Sequence, residues 1–284
     1  MSELGTLSLF SAMILALYSF IGSVLGIRKG LIELTVSARY ATYLIPIPVI
    51  ISVMTLIAAF LSRDFKVRYV AENSDIAMAK MYSWVAFYAG NHGSILFLAA
   101  VLAIASAIAI ATAPKISKTS LGYTNATLMV VLAFFLFVLV FLANPFEMTP
   151  TAPSDGLGMN PLLTHPGMFF HPPLLMTGLI IITVPFAFAI GSLLAGNTSD
   201  DWVDFGRVWA LTAWSILGTG LLLGGWWAYT ILGWGGFWAW DPVENAGLMP
   251  WLVLTAFVHS IVVQKRRGMF RTWNIVLIII AFTS

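Results

Sequence analysis

The chain has 284 residues, of which 60% are hydrophobic and only 9% charged, with a mean hydropathy of +0.92. Soluble globular domains keep about a quarter of their residues charged, so this composition excludes one and puts the chain in lipid. A formal charge of +2 is too small to argue for nucleic acid, and with no cysteine there is no disulfide, thiolate metal site or Cys-x-x-Cys redox pair.

Apolar runs of membrane-crossing length predict helices at about 6–27, 39–61, 93–112, 122–143, 172–195, 207–230, 248–264 and from 272 onward. Alternation of period two is absent, so helices rather than a barrel must satisfy the backbone in lipid. The expected fold is all-α: a polytopic transmembrane helical bundle of seven complete spans and a partial eighth, forming a single integral membrane domain over 1–284. Lys and Arg enrich the cytoplasmic side of short loops. Ten of the fourteen follow odd-numbered spans: Arg28, Lys29, Arg39, Lys115, Lys118, Arg207, Lys265, Arg266, Arg267 and Arg271. The N-terminus is therefore expected outside, with loops 62–92, 144–171 and 231–247. The loop 196–206 falls inside on this count although it carries Asp200, Asp201 and Asp204. Thr272 to Ser284 is about half a span long, which suggests a fragment or a partner chain that completes the helix.

The densest feature runs from Gly224 to Asn245 and holds five of the eleven Trp: Trp226, Trp227, Trp234, Trp238 and Trp240. With Gly235, Gly236 and Phe237 interleaved, it reads as too Gly-rich for a regular helix and too aromatic for a solvated loop. It is expected to lie flat at the outer interface, its glycines letting a planar group approach the backbone. An aromatic belt anchoring two helix ends is the plainer alternative. Asp241-Pro242-Val243-Glu244 also matches a helix start, with Asp as N-cap, Pro at the first helical position and Glu reaching back.

Three of the four histidines fall on the same outer side: His92, His165 and His171, the last followed by two prolines that pre-set a first helical turn. Neutral imidazole suits iron, so an outer His beside an aromatic platform is a candidate axial ligand to haem; each one alone also fits an interfacial polar residue. His259 lies about a dozen residues into a span, where ionisable groups are rare and face a partner or cavity. It is a candidate ligand to a buried cofactor or a His bonded to a neighbouring helix. Arg63, Lys66 and Arg68 could pair with the carboxylates of an anionic ligand such as haem propionates, or be a solvated cluster.

The run Gly225-Trp226-Trp227-Ala228-Tyr229, Leu232-Gly233-Trp234-Gly235-Gly236-Phe237-Trp238-Ala239-Trp240-Asp241-Pro242-Val243-Glu244-Asn245 and Met249-Pro250-Trp251 resembles the WWD motif of haem-handling membrane proteins, and specifically the cytochrome c maturation protein F (CcmF) family. Phe65–Ala71, Gly93-Ser94, Asn144-Pro145-Phe146, Asn160–Leu163 and Phe170–Leu175 extend the likeness over almost the whole chain. The resemblance implies a haem lyase subunit in cytochrome c-type biogenesis. It implies a WWD loop at 226–246 on the periplasmic side of the inner membrane, with His171 as one axial ligand of the outer haem and His259 as one ligand of a buried b-type haem. The implied partners are the haem chaperone CcmE, CcmH-type subunits and apocytochrome c. Family members are more than twice this length, so the likeness is to the N-terminal half, and a C-terminal CcmF half is implied as a separate chain or missing sequence. His92 stands where many relatives have Glu, which offers a spare outer ligand, as does His165. A CcsA-type haem exporter and synthase, which also carries a WWD loop, is the alternative within the superfamily. A non-haem transporter is the alternative of another class, but it would predict paired broken helices that are not visible.

Overall fold

The computed structural model describes residues 2–113, 116–196 and 200–284; Lys115, one of the cations that carry the topology argument, lies outside the described residues. Its long elements are all helices, the only arrangement besides a closed barrel that satisfies a main chain in hydrocarbon. Helix α1 covers Ser2–Lys29, α2 Ile32–Leu44, α3 Pro46–Leu61, α4 Arg68–Asn73, α5 Ser83–Ala89, α6 Asn91–Ala111 and α7 Lys118–Phe141. After a long connection come α8 (His171–Ile181), α9 (Thr183–Leu194), α10 (Asp201–Ile231), α11 (Pro242–Arg267) and α12 (Arg271–Thr283). Among the described residues seven helical segments are long and apolar enough to cross a membrane, and α12 is a shorter apolar helix. The chain is a multi-pass membrane protein.

Two spans are interrupted where proline removes a backbone donor. Pro46 separates α2 from α3 while Ile45 keeps helical angles, so 32–61 is one span, and Pro185 stands just beyond the break at Ile182 between α8 and α9. The second span therefore starts at Ile32, seven residues earlier than the apolar run alone predicts.

In the N-terminal half α1 packs against α2, α3 and α7 through small residues that let the backbones approach. A Cβ on Gly26 would come within 2.4 Å of Thr35 Oγ1. Four buried polar side chains knit these helices together. Asn125 Nδ2 donates to Ser19 Oγ and Ser23 Oγ, both 2.9 Å, and Thr42 Oγ1 donates to Asn125 Oδ1 at 2.8 Å. Ser19 Oγ also lies 2.8 Å from Thr42 Oγ1 and from the Ala38 carbonyl. In lipid each of these groups would be costly unpaired.

One end of the bundle carries the ordered connections. The stretch 62–92, expected as a loop, contains α4 and α5. It is tied to the 144–149 segment by an isolated bridge, Val67 to Met148, with Arg68 N–H donating to the Glu147 carbonyl and Thr149 N–H to that of Lys66, both 2.8 Å. Tyr69 plugs the corner between α5 and α6. Its hydroxyl is 3.1 Å from the carbonyls of Phe87 and Gly90 and accepts from Gly90 N–H at 2.9 Å. Burial pushes its phenol up to about 12.

At the opposite end the acidic residues of 196–206 find a role. Helix α10 begins at Asp201, six residues before the predicted 207, and Asp204 pairs with Lys265 while Asp200 Oδ2 accepts from Arg271 Nη2 at 3.0 Å. Buried Gln264 extends this clasp, donating to Asp200 Oδ1 and accepting from Asn274 Nδ2, both at 2.7 Å. The carboxylates thus face the cations of the same membrane side.

The helices are unequally enclosed. The most apolar window of 166–194 is 61% buried, against 22% for α10 and 28% for α11.

Candidate functional site

The Trp-rich stretch divides into three. Helix α10 runs on through Ile231, so Trp226, Trp227 and Tyr229 are helical, and α11 starts at Pro242; only 232–241 is irregular. This agrees with the helix expected at 207–230 and corrects the reading of the stretch from Gly224 onward as too Gly-rich for a regular helix. Gly224 and Gly225 do lower helix propensity, by about 1 kcal/mol each, but their bare backbones are where other groups pack. A Cβ on Gly224 would lie 2.4 Å from His171 Cε1, and one on Gly225 would lie 3.0 Å from the Phe237 carbonyl oxygen.

The irregular segment folds back over the end of α10. Phe237 stacks on Tyr229 with centroids 4.3 Å apart and planes within 5°, and Trp238 meets Trp240 edge to face at 6.0 Å. Gly233 and Gly235 take positive φ, as does Trp240 at 60°, a conformation strained for a bulky residue. Its neighbours hold it there. Glu244 Oε2 accepts from Ala239 N–H at 2.8 Å and Asp241 N–H at 3.4 Å, Asp241 Oδ1 accepts from Glu244 N–H at 2.7 Å, and Asn245 Nδ2 donates to the Trp240 carbonyl at 3.1 Å. The expected capping box is present, and its Glu does a second job inside the loop. Trp240 is 70% exposed, and Trp234 is also exposed.

His171 opens α8, with prolines in the first turn as expected. Helices α8 and α10 cross with backbones nearly touching: a Cβ on Gly178 would lie 2.5 Å from Leu217 Cα, and one on Gly220 2.7 Å from Leu175 N. This closeness lets His171 Nδ1 reach the Gly220 carbonyl at 2.8 Å. A carbonyl only accepts, so Nδ1 carries the proton and Nε2 keeps its lone pair. The ring also stacks over Trp227, 6.4 Å away and tilted by 14°, while Trp227 Nε1 donates to the Leu162 carbonyl at 3.3 Å.

His165 is brought to the same place but in another state. Its ring lies 5.0 Å from that of Trp226, and its Nδ1 accepts from Gly167 N–H at 3.0 Å. In the neutral ring the proton is then on Nε2, so the observed geometry leaves that nitrogen a donor. His92 packs against Tyr69, ring centroids 5.3 Å apart, at the α5–α6 corner. Among the described residues none of the ring contacts or hydrogen bonds joins it to the aromatic loop. Arg68 is held by Glu72, 2.8 Å away, and Glu147, 3.6 Å away. Lys66 lies beside the bridge that joins the two connections.

His259 sits apart. Helices α10 and α11 run antiparallel, with Trp214 against Trp251 and Asp204 against Lys265. Its level is therefore roughly 18 Å from that of His171, from the 1.5 Å helical rise per residue. Its Nδ1 is 2.8 Å from the Thr255 carbonyl, which again leaves Nε2 with the lone pair. The side chain is exposed on the weakly enclosed face of α11 rather than aimed into a cavity.

Against known proteins, residues 88–284 match the family model described as cytochrome C assembly protein. The chain belongs to the cytochrome c assembly protein family. Among relatives, it is 39% identical to the cytochrome c-type biogenesis protein CcmF of Pseudomonas aeruginosa, over 99% of this chain and 43% of that protein. It is 38% identical to CcmF of Escherichia coli K12, over 100% of this chain and 44% of that protein. A solved structure, "Cytochrome c Heme Lyase CcmF", superposes with a TM-score of 0.89 at 32% identity over 99% of this chain and 45% of that one. The chain thus spans less than half the length of these relatives, and the fold match confirms the helical bundle. The region matched by the family model includes His171, the aromatic loop and His259.

Sequence reasoning overlooked Gly220, which orients His171, and Trp214 and Gly218 beneath the loop, whereas Trp251 belongs to the motif it quoted. A signal for the first was present: Gly220-Leu221-Leu222-Leu223-Gly224 is a Gly-x-x-x-Gly pattern, a mark of close helix contact in membranes.

Proposed function

We propose that this chain takes part in cytochrome c biogenesis as a haem lyase subunit, holding haem beside the aromatic loop for attachment to apocytochrome c. The observation that carries the reading is the His171 ring. Its Nδ1–H is committed to the Gly220 carbonyl, its Nε2 has no partner among the described residues and keeps a lone pair for iron, and its site is flanked by Trp227 and the bare backbone of Gly224.

The haem at this site is substrate. Attachment adds two cysteine S–H groups of the apocytochrome across the two vinyl groups, with no leaving group. This chain has no cysteine, in keeping with thiols that come from the acceptor. Its own residues bind and orient: Trp227, Phe237, Trp238 and Trp240 offer flat faces, and the Asp241–Glu244 cap holds the loop. Of the two cations assigned to propionates, Arg68 is already engaged by two carboxylates, which leaves Lys66 the more available.

His259 fits a second, resident b-type haem, whose chemistry would be electron transfer. Its free Nε2 and exposure within an apolar span suit a ligand shared with a segment packed on α11, such as the C-terminal half that longer relatives possess. The partners in this reading are CcmE, CcmH-type subunits and apocytochrome c, with the loop on the periplasmic side of the inner membrane. The cation count supports that orientation, and the Asp204–Lys265 and Asp200–Arg271 pairs put the acidic residues of 196–206 at the same end as those cations.

The test is a haem titration of the purified chain followed by the Soret band, in parallel with cytochrome c maturation in cells. His171→Ala is expected to weaken the first and stop the second. Unchanged maturation in that variant would sink the assignment of His171.

A further inference from the structure

Beneath the aromatic loop, between α10 and α11, lies a cleft of about 640 Å³, a ligand-sized volume. One side of it is a flat aromatic surface. The indoles of Trp214 and Trp251 lie 5.5 Å apart and within 16° of parallel, and Trp251 covers Gly218, where a Cβ would come 2.7 Å from its Nε1. Phe237 and Trp238 close the end toward the loop, while Thr219 and Leu222 form an exposed rim on α10.

A second cavity of about 90 Å³ is lined by His171, Gly224 and Trp227. The two share Leu221, Gly225 and Trp238, so Trp238 is a partition between the His171 side and the cleft. Its Nε1 is buried with no partner among the described residues, an unfavourable state for a donor that nothing else in the fold relieves. The indole is therefore held by packing alone and offers an N–H to an acceptor that arrives beside it.

We infer that the α10–α11 cleft is a holding position for the porphyrin, separate from the position at which His171 ligates iron. The apolar edge lies against Trp214 and Trp251, and a propionate accepts from Trp238 Nε1. This rests on the haem reading above. Three features select a porphyrin over a lipid chain: the flat surface of two stacked indoles, an orphaned donor toward the loop, and continuity with the His171 cavity. Kept there, the macrocycle is shielded from water until it moves past Trp238.

Metal-free protoporphyrin IX is the probe, because it cannot be ligated by His171. It is titrated into the chain in phosphatidylcholine nanodiscs and read by quenching of Trp emission. Saturable quenching is expected. Thr219→Phe, whose added ring enters the cleft from the rim and not the core, should weaken binding by about tenfold or more through steric exclusion. Leu222→Phe, farther along the rim, is the second blocking variant should the first fail to fold. Quenching that does not saturate, or blocking variants that are folded and bind as well as the wild type, overturns the cleft. Haem titration of His171→Ala separates the two readings, since an unaltered Soret band there overturns the ligand assignment while leaving the cleft standing.

Discussion

The imidazole of His171 and the carbonyl of Gly220 are joined by a 2.8 Å hydrogen bond that crosses from α8 to α10. The bond fixes both tautomer and ring direction, as the supporting partner of a metal-binding histidine does. Gly224→Val, whose Cβ would overlap the ring at 2.4 Å, is expected to reduce haem affinity about 10–100-fold with the histidine intact. Soret titration of this variant beside His171→Ala checks it; wild-type affinity would show that ring placement is irrelevant.

Glu244 joins the cap of α11 to the loop. Glu244→Ala frees the N–H groups of Ala239 and Asp241 and should lower local stability by about 1 kcal/mol, the usual worth of a cap. Hydrogen exchange should speed up at Ala239 and Asp241 and stay unchanged in α1–α7.

Gln264 is nearly fully buried between Asp200 and Asn274. Gln264→Leu keeps the bulk but leaves Asn274 Nδ2 without its acceptor, so a loss of about 1–3 kcal/mol is expected in detergent unfolding. The same change in the background of Asn274→Leu should be much milder, and equal losses in both backgrounds would deny the coupling.

Stability should fall as pH rises from about 10 to about 12. Tyr69 is raised from 10.0 to about 12 in the folded chain by burial, so the unfolded chain releases that proton first and gains from alkali. The stabilisation is fully present below the unfolded value and lost as pH passes the folded one. Tyr88, buried with its hydroxyl donating to the Met168 carbonyl at 2.6 Å, is shifted the same way. Tyr69→Phe should flatten the alkaline limb of thermal unfolding; an unchanged limb would exclude Tyr69 as its source.

The spans were legible because a run of apolar residues has one solution in lipid, and Asp241–Glu244 because a capping box is wholly local. Helices α4 and α5 were hidden, being six and seven residues long and held by tertiary contacts such as Tyr69 with Gly90. The helix expected at 207–230 does run through Gly224 and Gly225, and what the sequence hid is that His171 and Phe237 occupy the space those glycines leave. The sequence separated His259 by its depth in a span but could not give the tautomers of the outer histidines. What separates His171 from His165 is whether Nδ1 meets a carbonyl or an N–H, and that depends on how distant segments pack.

The Asn125 network also bears on how the chain is made. The ribosome delivers Ser19 and Thr42 first, and these two can bond to each other and to the Ala38 carbonyl without waiting for anything more. Asn125, whose carboxamide is costly to strand in a bilayer, leaves the insertion machinery afterwards and meets two acceptors, Ser19 and Ser23, and a donor, Thr42, already in position. Order of synthesis thus spares the nascent protein an exposed amide in lipid, and a permuted chain that placed α7 ahead of α1 would lose that protection.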